Sequence, residues 1–212
     1  MHRLLTDVLW IVVVVLGGSL GCAQVTAHAP SSPKASLNPN RTLQVLVAYY
    51  SLSGHTEQMA KSVQEGAQSV DGTRVLLKKV GQVKADDLFA SDAIVVGSPV
   101  YWSNMSGEVK TFFDRWQFEF GVFPEFKMRN KVGAAFATGG QVSSGKEVTM
   151  LTIVAAMLGN QMIVVSDGGA FGASATTEGD SPGIDEHERA AARALGKRVA
   201  EVAGMVKRGM SP

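Results

Sequence analysis

A run of hydroxyl-bearing residues in the first half of the chain is the strongest candidate for chemistry. It reads Ser51-Leu52-Ser53-Gly54-His55-Thr56 and directly follows an apolar segment. If a helix begins near Thr56, its free backbone N–H groups, its dipole and the three hydroxyls would together bind a phosphate. The run contains no Lys or Arg, so it suits a singly attached monophosphate better than a triphosphate with its magnesium. His55 has two interpretations, a phosphate contact or a solvated residue of the first helical turn.

Two further segments supply the flat and the close-fitting surfaces that a planar ligand needs. Tyr101 and Trp102 are adjacent aromatic residues that offer a stacking surface, unless they only cover the adjoining helix. The amides around them can hydrogen-bond the edge of a heterocycle. The second segment is rich in glycine, which lets a backbone approach a ligand closely. The predicted binding residues of these two segments are Pro99, Val100, Tyr101, Trp102, Asn104, Ala137, Thr138, Gly139, Gly140 and Gly145.

Other kinds of chemistry find little support in the residues. Gly140 to Lys146 matches the triphosphate-binding P-loop pattern up to its last position, where Glu147 replaces the required Ser or Thr and would repel phosphate. The four histidines are scattered and there is one cysteine, so no metal site is predicted. No residue stands out as a catalytic acid or base. The formal charge of +1 argues against a nucleic-acid partner.

Strands that alternate with helices must position the candidate segments. Apolar, β-branched runs predict strands at 42–50, 74–80, 92–98, 131–138 and 161–165. Helical periodicity follows four of these strands, and the last helix begins with a capping box at Asp185 and Glu188. The alternation predicts an α/β fold with a parallel sheet and helices on both faces. Ligands of such sheets bind beyond the carboxyl ends of the strands, where all three candidate segments lie.

The N-terminal 41 residues are predicted to be a targeting segment and a linker. Residues 8–16 form an apolar run that is short for a membrane span, and a Gly-Cys junction follows at Cys22. The expected organisation is a lipoprotein-type signal peptide at 1–22, a Pro- and Ser-rich linker at 23–41, the domain at 42–206 and a tail at 207–212. We expect the mature protein outside the cytoplasm, held at a membrane surface by a lipidated Cys22. A signal anchor or a secreted protein is the alternative.

Four stretches of the chain together resemble the flavodoxin-like superfamily, and within it the NAD(P)H:quinone oxidoreductases of the tryptophan-repressor-binding-protein type. They are YYSLSGHTEQMA, GSPVYWSNMSGEVKTFFDR, AAFATGG and GASATTEG, and the resemblance spans about residues 43–202. It implies a three-layer sandwich with a five-stranded parallel sheet of order 2-1-3-4-5, and FMN as the cofactor. The chain departs from these oxidoreductases between the second and third strands, where its segment 81–91 is shorter than theirs.

The resemblance assigns a part of FMN to each candidate segment. Ser51, Ser53, Gly54, His55 and Thr56 correspond to the phosphate loop, and Leu52 lies within it. Residues 99–104 correspond to the loop that packs against the isoalloxazine ring, and 137–145 to the loop at its pyrimidine end.

The activity that the resemblance implies is electron transfer from NAD(P)H to a quinone-like acceptor, with a homo-oligomer left open. The alternatives are a flavodoxin-type electron carrier that serves a partner protein, or a non-enzymatic flavin-binding protein. The near-neutral charge favours an enzyme, since such carriers are usually strongly acidic.

Overall fold

A computed structural model of the chain describes residues 42–177 and 183–210. The predicted signal peptide, Cys22 and the linker therefore lie outside the described residues, which begin at Thr42, the first residue of the predicted domain. The strands are β1 (Leu43–Tyr49), β2 (Thr73–Lys79), β3 (Ala93–Tyr101), β4 (Asn104–Met105), β5 (Val132–Gly139), β6 (Ile163–Val164) and β7 (Ala173–Thr176). The helices are α1 (His55–Gln68), α2 (Ala85–Ala90), α3 (Gly107–Phe118), α4 (Lys146–Gly159) and α5 (Glu186–Gly209), and a 3-10 turn, Val80–Gln82, follows β2.

A parallel sheet forms the centre of the described domain. Its strands lie in the order β2-β1-β3-β5-β6. The strand β6 pairs with the beginning of β5, and β7 pairs with the end of β5. By position across the sheet, this confirms the predicted order 2-1-3-4-5, with β6 and β7 sharing the fifth position. The short strand β4 is an antiparallel partner of β3 and was not predicted.

The central strands are buried on both faces, as their continuous apolar runs indicate. Val45 and Val47 of β1 face one core, which α1 and α5 cover, whereas Leu46 and Ala48 face a second core. The second core contains the aromatic cluster of α3, in which Phe112 and Trp116 meet edge to face with centroids 5.5 Å apart. Helices on both faces complete the predicted three-layer sandwich.

Two glycines bring α1 and α5 into backbone contact. A Cβ atom added at Gly66 would lie 1.9 Å from the carbonyl oxygen of Arg193, and one at Gly196 would lie 2.0 Å from that of Val63. Neither position has room for a side chain, so the two helices pack more closely than larger residues would allow. This contact joins α5 to the C-terminal half of α1, the helix whose N-terminus follows the first candidate segment.

The fifth predicted strand is interrupted. The sequence predicts a strand at 161–165, but only Ile163 and Val164 pair with β5 before the chain leaves the sheet. The polar and glycine-rich segment that follows bends away at Gly168, which has φ 72°. Pairing with β5 resumes in β7, and a Cβ on Gly172, just before this strand, would lie 1.9 Å from the carbonyl oxygen of Ala135.

The last helix begins as predicted and ends later. The side chain of Asp185 accepts a hydrogen bond from the backbone N–H of Glu188, which confirms the capping box. The helix continues to Gly209, three residues past the predicted end of the domain at 206.

Candidate functional site

The three candidate segments meet at one edge of the sheet. The register pairs Tyr49 with Gly97 and Pro99 with Thr138, so the carboxyl ends of β1, β3 and β5 lie side by side. The end of β7 joins them, since Thr176 pairs with Gly139. The described structure thus brings together the residues that the sequence predicted to share a ligand.

The segment after β1 is arranged around the N-terminus of α1. Gly54 precedes the helix with φ 91°, in the left-handed region, and no side chain caps the first turn. The hydroxyl of Ser51 accepts a hydrogen bond from the Gly54 N–H at 3.1 Å, and the hydroxyl of Ser53 is hydrogen-bonded to Nδ1 of His55 at 3.0 Å. The N–H groups of the first helical turn therefore remain available to an anion.

Thr56 joins the first segment to the end of β5. Its buried hydroxyl lies 2.7 Å from the hydroxyl of Thr138, which is also buried. The neighbouring Ala137 has no exposed surface and packs in the sheet core, so its side chain does not reach the site. Its assignment as a binding residue stays a prediction that only its backbone could fulfil.

The second segment is a hairpin formed by β3 and β4. Trp102 and Ser103 form the two-residue turn with φ 50° and 62°, the sign that type I′ hairpin turns require at both positions. The Trp102 side chain is fully exposed, whereas Tyr101 meets Tyr50 edge to face with centroids 6.4 Å apart. The side-chain oxygen of Asn104 accepts hydrogen bonds from Met105 N–H and from the hydroxyl of Thr152, which ties the hairpin to α4.

Two serines that the sequence analysis did not select hold the base of this hairpin. The buried hydroxyl of Ser98 accepts a hydrogen bond from the Ser106 N–H at 2.9 Å. The hydroxyl of Ser106 in turn accepts one from the Val109 N–H and caps α3. The order Ser-x-x-Glu is the usual sign of such a cap, but here the residue three positions after Ser106 is Val109.

The third segment packs against the tip of the hairpin. A Cβ atom on Gly145, which has φ 95°, would lie 2.8 Å from Cα of Ser103, so only glycine fits there. Between the hairpin and this segment lies a depression of about 370 Å³, which we call the hairpin depression. It is lined by Val100, Trp102, Ser103, Gly140, Gln141, Ser143 and Ser144. Of these, Ser103, Gln141, Ser143 and Ser144 were not among the predicted binding residues.

The lysine of the P-loop-like pattern is committed to the loop itself. The Lys146 ammonium is buried and donates hydrogen bonds to the carbonyl oxygens of Gln141 and Val142, at 3.0 and 3.1 Å, and to the hydroxyl of Thr176 at 2.8 Å. It is folded back beneath the loop instead of projecting toward a phosphate. Lys146 therefore has a structural role, since it links the start of α4 to the preceding loop and to Thr176 of β7.

Two carboxylates beside the site, those of Glu57 and Glu108, have partners. A hydrogen bond from Lys61 lowers the pKa of Glu57 in the first turn of α1, which keeps this carboxylate ionised and paired at 2.9 Å. A hydrogen bond to Glu108 raises the pKa of the Tyr50 hydroxyl. Among residues 42–177 and 183–210, no group of three or more His, Cys, Asp or Glu side chains is placed to hold a metal ion. No helix in this same part of the chain is long and apolar enough to cross a membrane.

The fold and the site together define a flavodoxin-like α/β protein with an anion-binding first loop and an exposed aromatic hairpin. The chain belongs to the NADPH-dependent FMN reductase family, whose model matches residues 43–177. An NAD(P)H dehydrogenase (quinone) of Geotalea daltonii is 32% identical over 202 residues, which cover 76% of this chain and 97% of that relative. A flavodoxin of Clostridium saccharobutylicum is 32% identical over 160 residues, which cover 74% of this chain and 96% of the relative.

A solved structure supports the same assignment. The flavodoxin, WrbA-like protein from Agrobacterium tumefaciens superposes with a TM-score of 0.66 at 28% identity, and the match covers 77% of this chain and 98% of that chain. The predicted flavodoxin-like fold is thereby confirmed.

Proposed function

We propose that the protein is an FMN-dependent oxidoreductase that passes electrons from NAD(P)H to a quinone-like acceptor. The family and the relatives named NAD(P)H dehydrogenase (quinone) support this function. The observation that carries it is the uncapped N-terminus of α1, with hydroxyl groups around it, at the same sheet edge as the exposed Trp102. The first feature suits a phosphate, and the second suits a flat ring.

The residues present fit FMN. The N–H groups of the first turn of α1, with the hydroxyls of Ser53 and Thr56, would hold the monophosphate without any lysine or arginine. The hairpin depression would take part of the ring system, with Trp102 exposed at its border. The Ser144 hydroxyl is buried in this loop without a hydrogen-bond partner among the described residues, and a polar ring edge would satisfy it.

In this reaction the residues of the chain bind and orient the cofactor and the two substrates. When bound, FMN supplies the hydride chemistry that links donor and acceptor. None of the residues lining the hairpin depression is titratable, so the protein supplies neither an acid nor a base there. Trp102 offers a surface over which a nicotinamide and then a quinone can stack, one after the other.

Steady-state kinetics test this function. The FMN-loaded protein should oxidise NADPH or NADH in the presence of menadione, and double-reciprocal plots at several menadione concentrations should be parallel, since the two substrates alternate at one face. The FMN-free protein is the control and should be inactive. A protein that retains FMN through purification but does not oxidise NAD(P)H with menadione would instead be an electron carrier or a non-enzymatic flavin-binding protein.

The place of action and the assembly are further parts of the proposal. The Gly-Cys junction at Cys22 supports a lipid-anchored protein outside the cytoplasm.

One exposed side of α4 supports a homo-oligomer, because it carries Val148, Leu151 and Leu158 and no charged residue after Glu147. The sedimentation mass of the FMN-loaded protein measures this assembly, and a monomer at micromolar concentration would contradict it.

A further inference from the structure

A second groove lies next to the hairpin depression. It has a volume of about 770 Å³, within the usual range for small-molecule sites. Val100 borders the hairpin depression, while the next residue, Tyr101, borders this groove. Because successive strand residues point to opposite faces, the hairpin separates the two spaces. We call the larger one the Tyr50 groove.

The Tyr50 groove opens beside the connection between β2 and β3. The connection between β2 and β3 consists of the turn Val80–Gln82 and the short helix α2. Val80, Gly81 and Gln82 of that turn form one wall, and the first three turns of α3 form the opposite wall. The two tyrosines, Tyr50 and Tyr101, stand at the end nearest the hairpin.

Two cations line this groove. Lys79 ends β2, and its ammonium makes no hydrogen bond and no ion pair within 4.0 Å among the described residues, although its charge contributes to the lowered pKa of Glu57. Arg115 uses Nε for Glu119, at 2.7 Å, and its guanidinium lies 4.6 Å from the ring centre of Phe120. Among residues 42–177 and 183–210, no partner contacts its two terminal nitrogens. The one carboxylate of the walls, Glu108, interacts with the Tyr50 hydroxyl.

We propose that the Tyr50 groove binds the adenosine end of NADPH, with the 2′-phosphate at Lys79 and Arg115 and the adenine ring against Tyr50 and Tyr101. The inference rests on the proposed function and names the electron donor. Arginine and lysine side chains recognise phosphate, and aromatic side chains stack on a base. NADPH differs from NADH only in this phosphate, so the groove selects NADPH.

The position of the groove favours the donor over the acceptor. A molecule confined to the Tyr50 groove does not lie over the face beside Trp102, because the hairpin stands between them. Only a molecule with a long, unreactive portion can bind in the Tyr50 groove and react beside Trp102. A dinucleotide has such a portion. Binding energy from that remote end is equal in the ground and transition states, so it lowers KM for the dinucleotide without changing kcat. A simple quinone has neither the remote portion nor the negative charge.

Calorimetric binding of nucleotide fragments to the FMN-loaded full chain tests the groove directly. We expect 2′,5′-ADP to bind at least about 10-fold more tightly than 5′-AMP, because it carries the second phosphate. Lys79→Gln and Arg115→Gln should each weaken 2′,5′-ADP by about 10-fold and leave 5′-AMP almost unchanged. Lys110→Gln is the matched control, since Lys110 lies on α3, pairs with Asp114 and does not line the groove.

A blocking variant keeps the test independent of the Arg115 contacts. A Cβ on Gly81 meets nothing within 4 Å, and its φ is not in the left-handed region, so Gly81→Leu should fold and fill the groove. This variant should abolish 2′,5′-ADP binding. In steady-state assays all three groove variants should raise KM for NADPH, while kcat and KM for menadione stay unchanged.

Three outcomes would overturn the inference. They are equal affinities for 2′,5′-ADP and 5′-AMP, groove variants that behave like Lys110→Gln, and displacement of 2′,5′-ADP by menadione, which would make the groove an acceptor site. The two proposals fail separately. Binding of 2′,5′-ADP that depends on Lys79 in a protein that does not oxidise NADPH would refute the function and keep the phosphate site. NADPH oxidation by a protein that does not bind 2′,5′-ADP would refute the phosphate site and keep the function.

Discussion

Trp102 and Ser103 adopt a backbone conformation that most residues avoid. Both have positive φ, at 50° and 62°, and a bulky side chain in that region costs about 1–3 kcal/mol. The Asn104 contacts to Met105 and Thr152 compensate by holding the turn from the C-terminal side. The result is a fully exposed aromatic ring at the same edge of the sheet as the loop before α1, which supports a ligand-facing role for Trp102.

At Ser53 and Thr56 we predict a direct effect on cofactor affinity. The double variant Ser53→Ala/Thr56→Ala removes two hydroxyl donors from a charged phosphate, each contributing about 1.5–3 kcal/mol. FMN affinity of the apoprotein, measured by fluorescence titration, should therefore fall at least about 100-fold. Ser69→Ala is the matched control, because Ser69 lies at the other end of α1 and bonds the carbonyl oxygen of Gly66. Unchanged FMN affinity in the double variant would refute the phosphate assignment.

The loop that precedes α1 could be predicted from sequence because its signals are local. A buried strand, three hydroxyls and a glycine lie within a few residues, and each has a known preference at the start of a helix. Lys146 shows the opposite case, because its partners Gln141 and Thr176 come from different segments. The same residue types could hold a phosphate or close a loop, and only the tertiary structure decides between them.

Among the elements, the hairpin and the fifth strand were the least predictable. Two-residue hairpins normally carry Asn-Gly or Asp-Gly at the turn, whereas this one has Trp-Ser and leaves no turn signal in the sequence. The fifth position of the sheet is built from two short strands that pair with opposite ends of β5. Neither Ile163–Val164 nor Ala173–Thr176 is long enough to indicate on its own that the two share one position. In contrast, the long buried strands β1, β3 and β5 follow directly from their apolar runs.

The contact between α1 and α5 gives a prediction for stability. Gly66→Ala places a methyl group within 1.9 Å of the Arg193 carbonyl oxygen, so the helices must separate or bend. We expect a loss of about 1–3 kcal/mol in the free energy of unfolding, measured by urea denaturation. Gly159→Ala is the control, since that helical position meets nothing within 4 Å and alanine there should be neutral or stabilising by up to about 1 kcal/mol.

If the two alanine variants unfold at the same urea concentration, the close contact between the helices does not determine stability. If Gly66→Ala also weakens FMN binding, the cause should be displacement of α1, because the phosphate loop sits at its N-terminus. That second effect should be smaller than in the Ser53→Ala/Thr56→Ala variant, which keeps the helix in place.

In the whole molecule, the two edges of the sheet have different roles. The carboxyl edge carries the loops of the site, while a polar network closes the amino edge. There the Asp92 carboxylate accepts hydrogen bonds from the Gln44 N–H and the Lys207 ammonium, both at 2.8 Å. Burial lowers the pKa of Lys131, which donates to the carbonyl oxygens of Phe89 and Ser91. Lys207 also bonds the carbonyl oxygen of Thr42 at 3.1 Å, so the end of α5 belongs to the folded domain.

The described chain enters the domain at this amino edge, opposite the site, and that arrangement suits a tether. A linker at residues 23–41 would join the domain at Thr42 and leave the flavin edge free to meet substrates. With the scaling of a flexible coil, such a linker spans roughly 20–30 Å. Stable anchoring takes more than one acyl chain, as lipoprotein processing of Cys22 would provide.

We predict that Cys22→Ser moves the protein from the membrane to the soluble fraction. Expressed in a bacterium that processes lipoproteins, the wild type should sediment with membranes and carry acyl mass at its N-terminus, whereas the variant should do neither. A matched control is Ser19→Ala, which keeps the cysteine and the small-residue context and should behave as the wild type. FMN content and menadione reduction should be equal in all three proteins, because Cys22 lies outside the domain that forms the site. If wild type and Cys22→Ser fractionate alike and neither carries acyl mass, the protein is not a lipoprotein, and a signal anchor or secretion accounts for the apolar run.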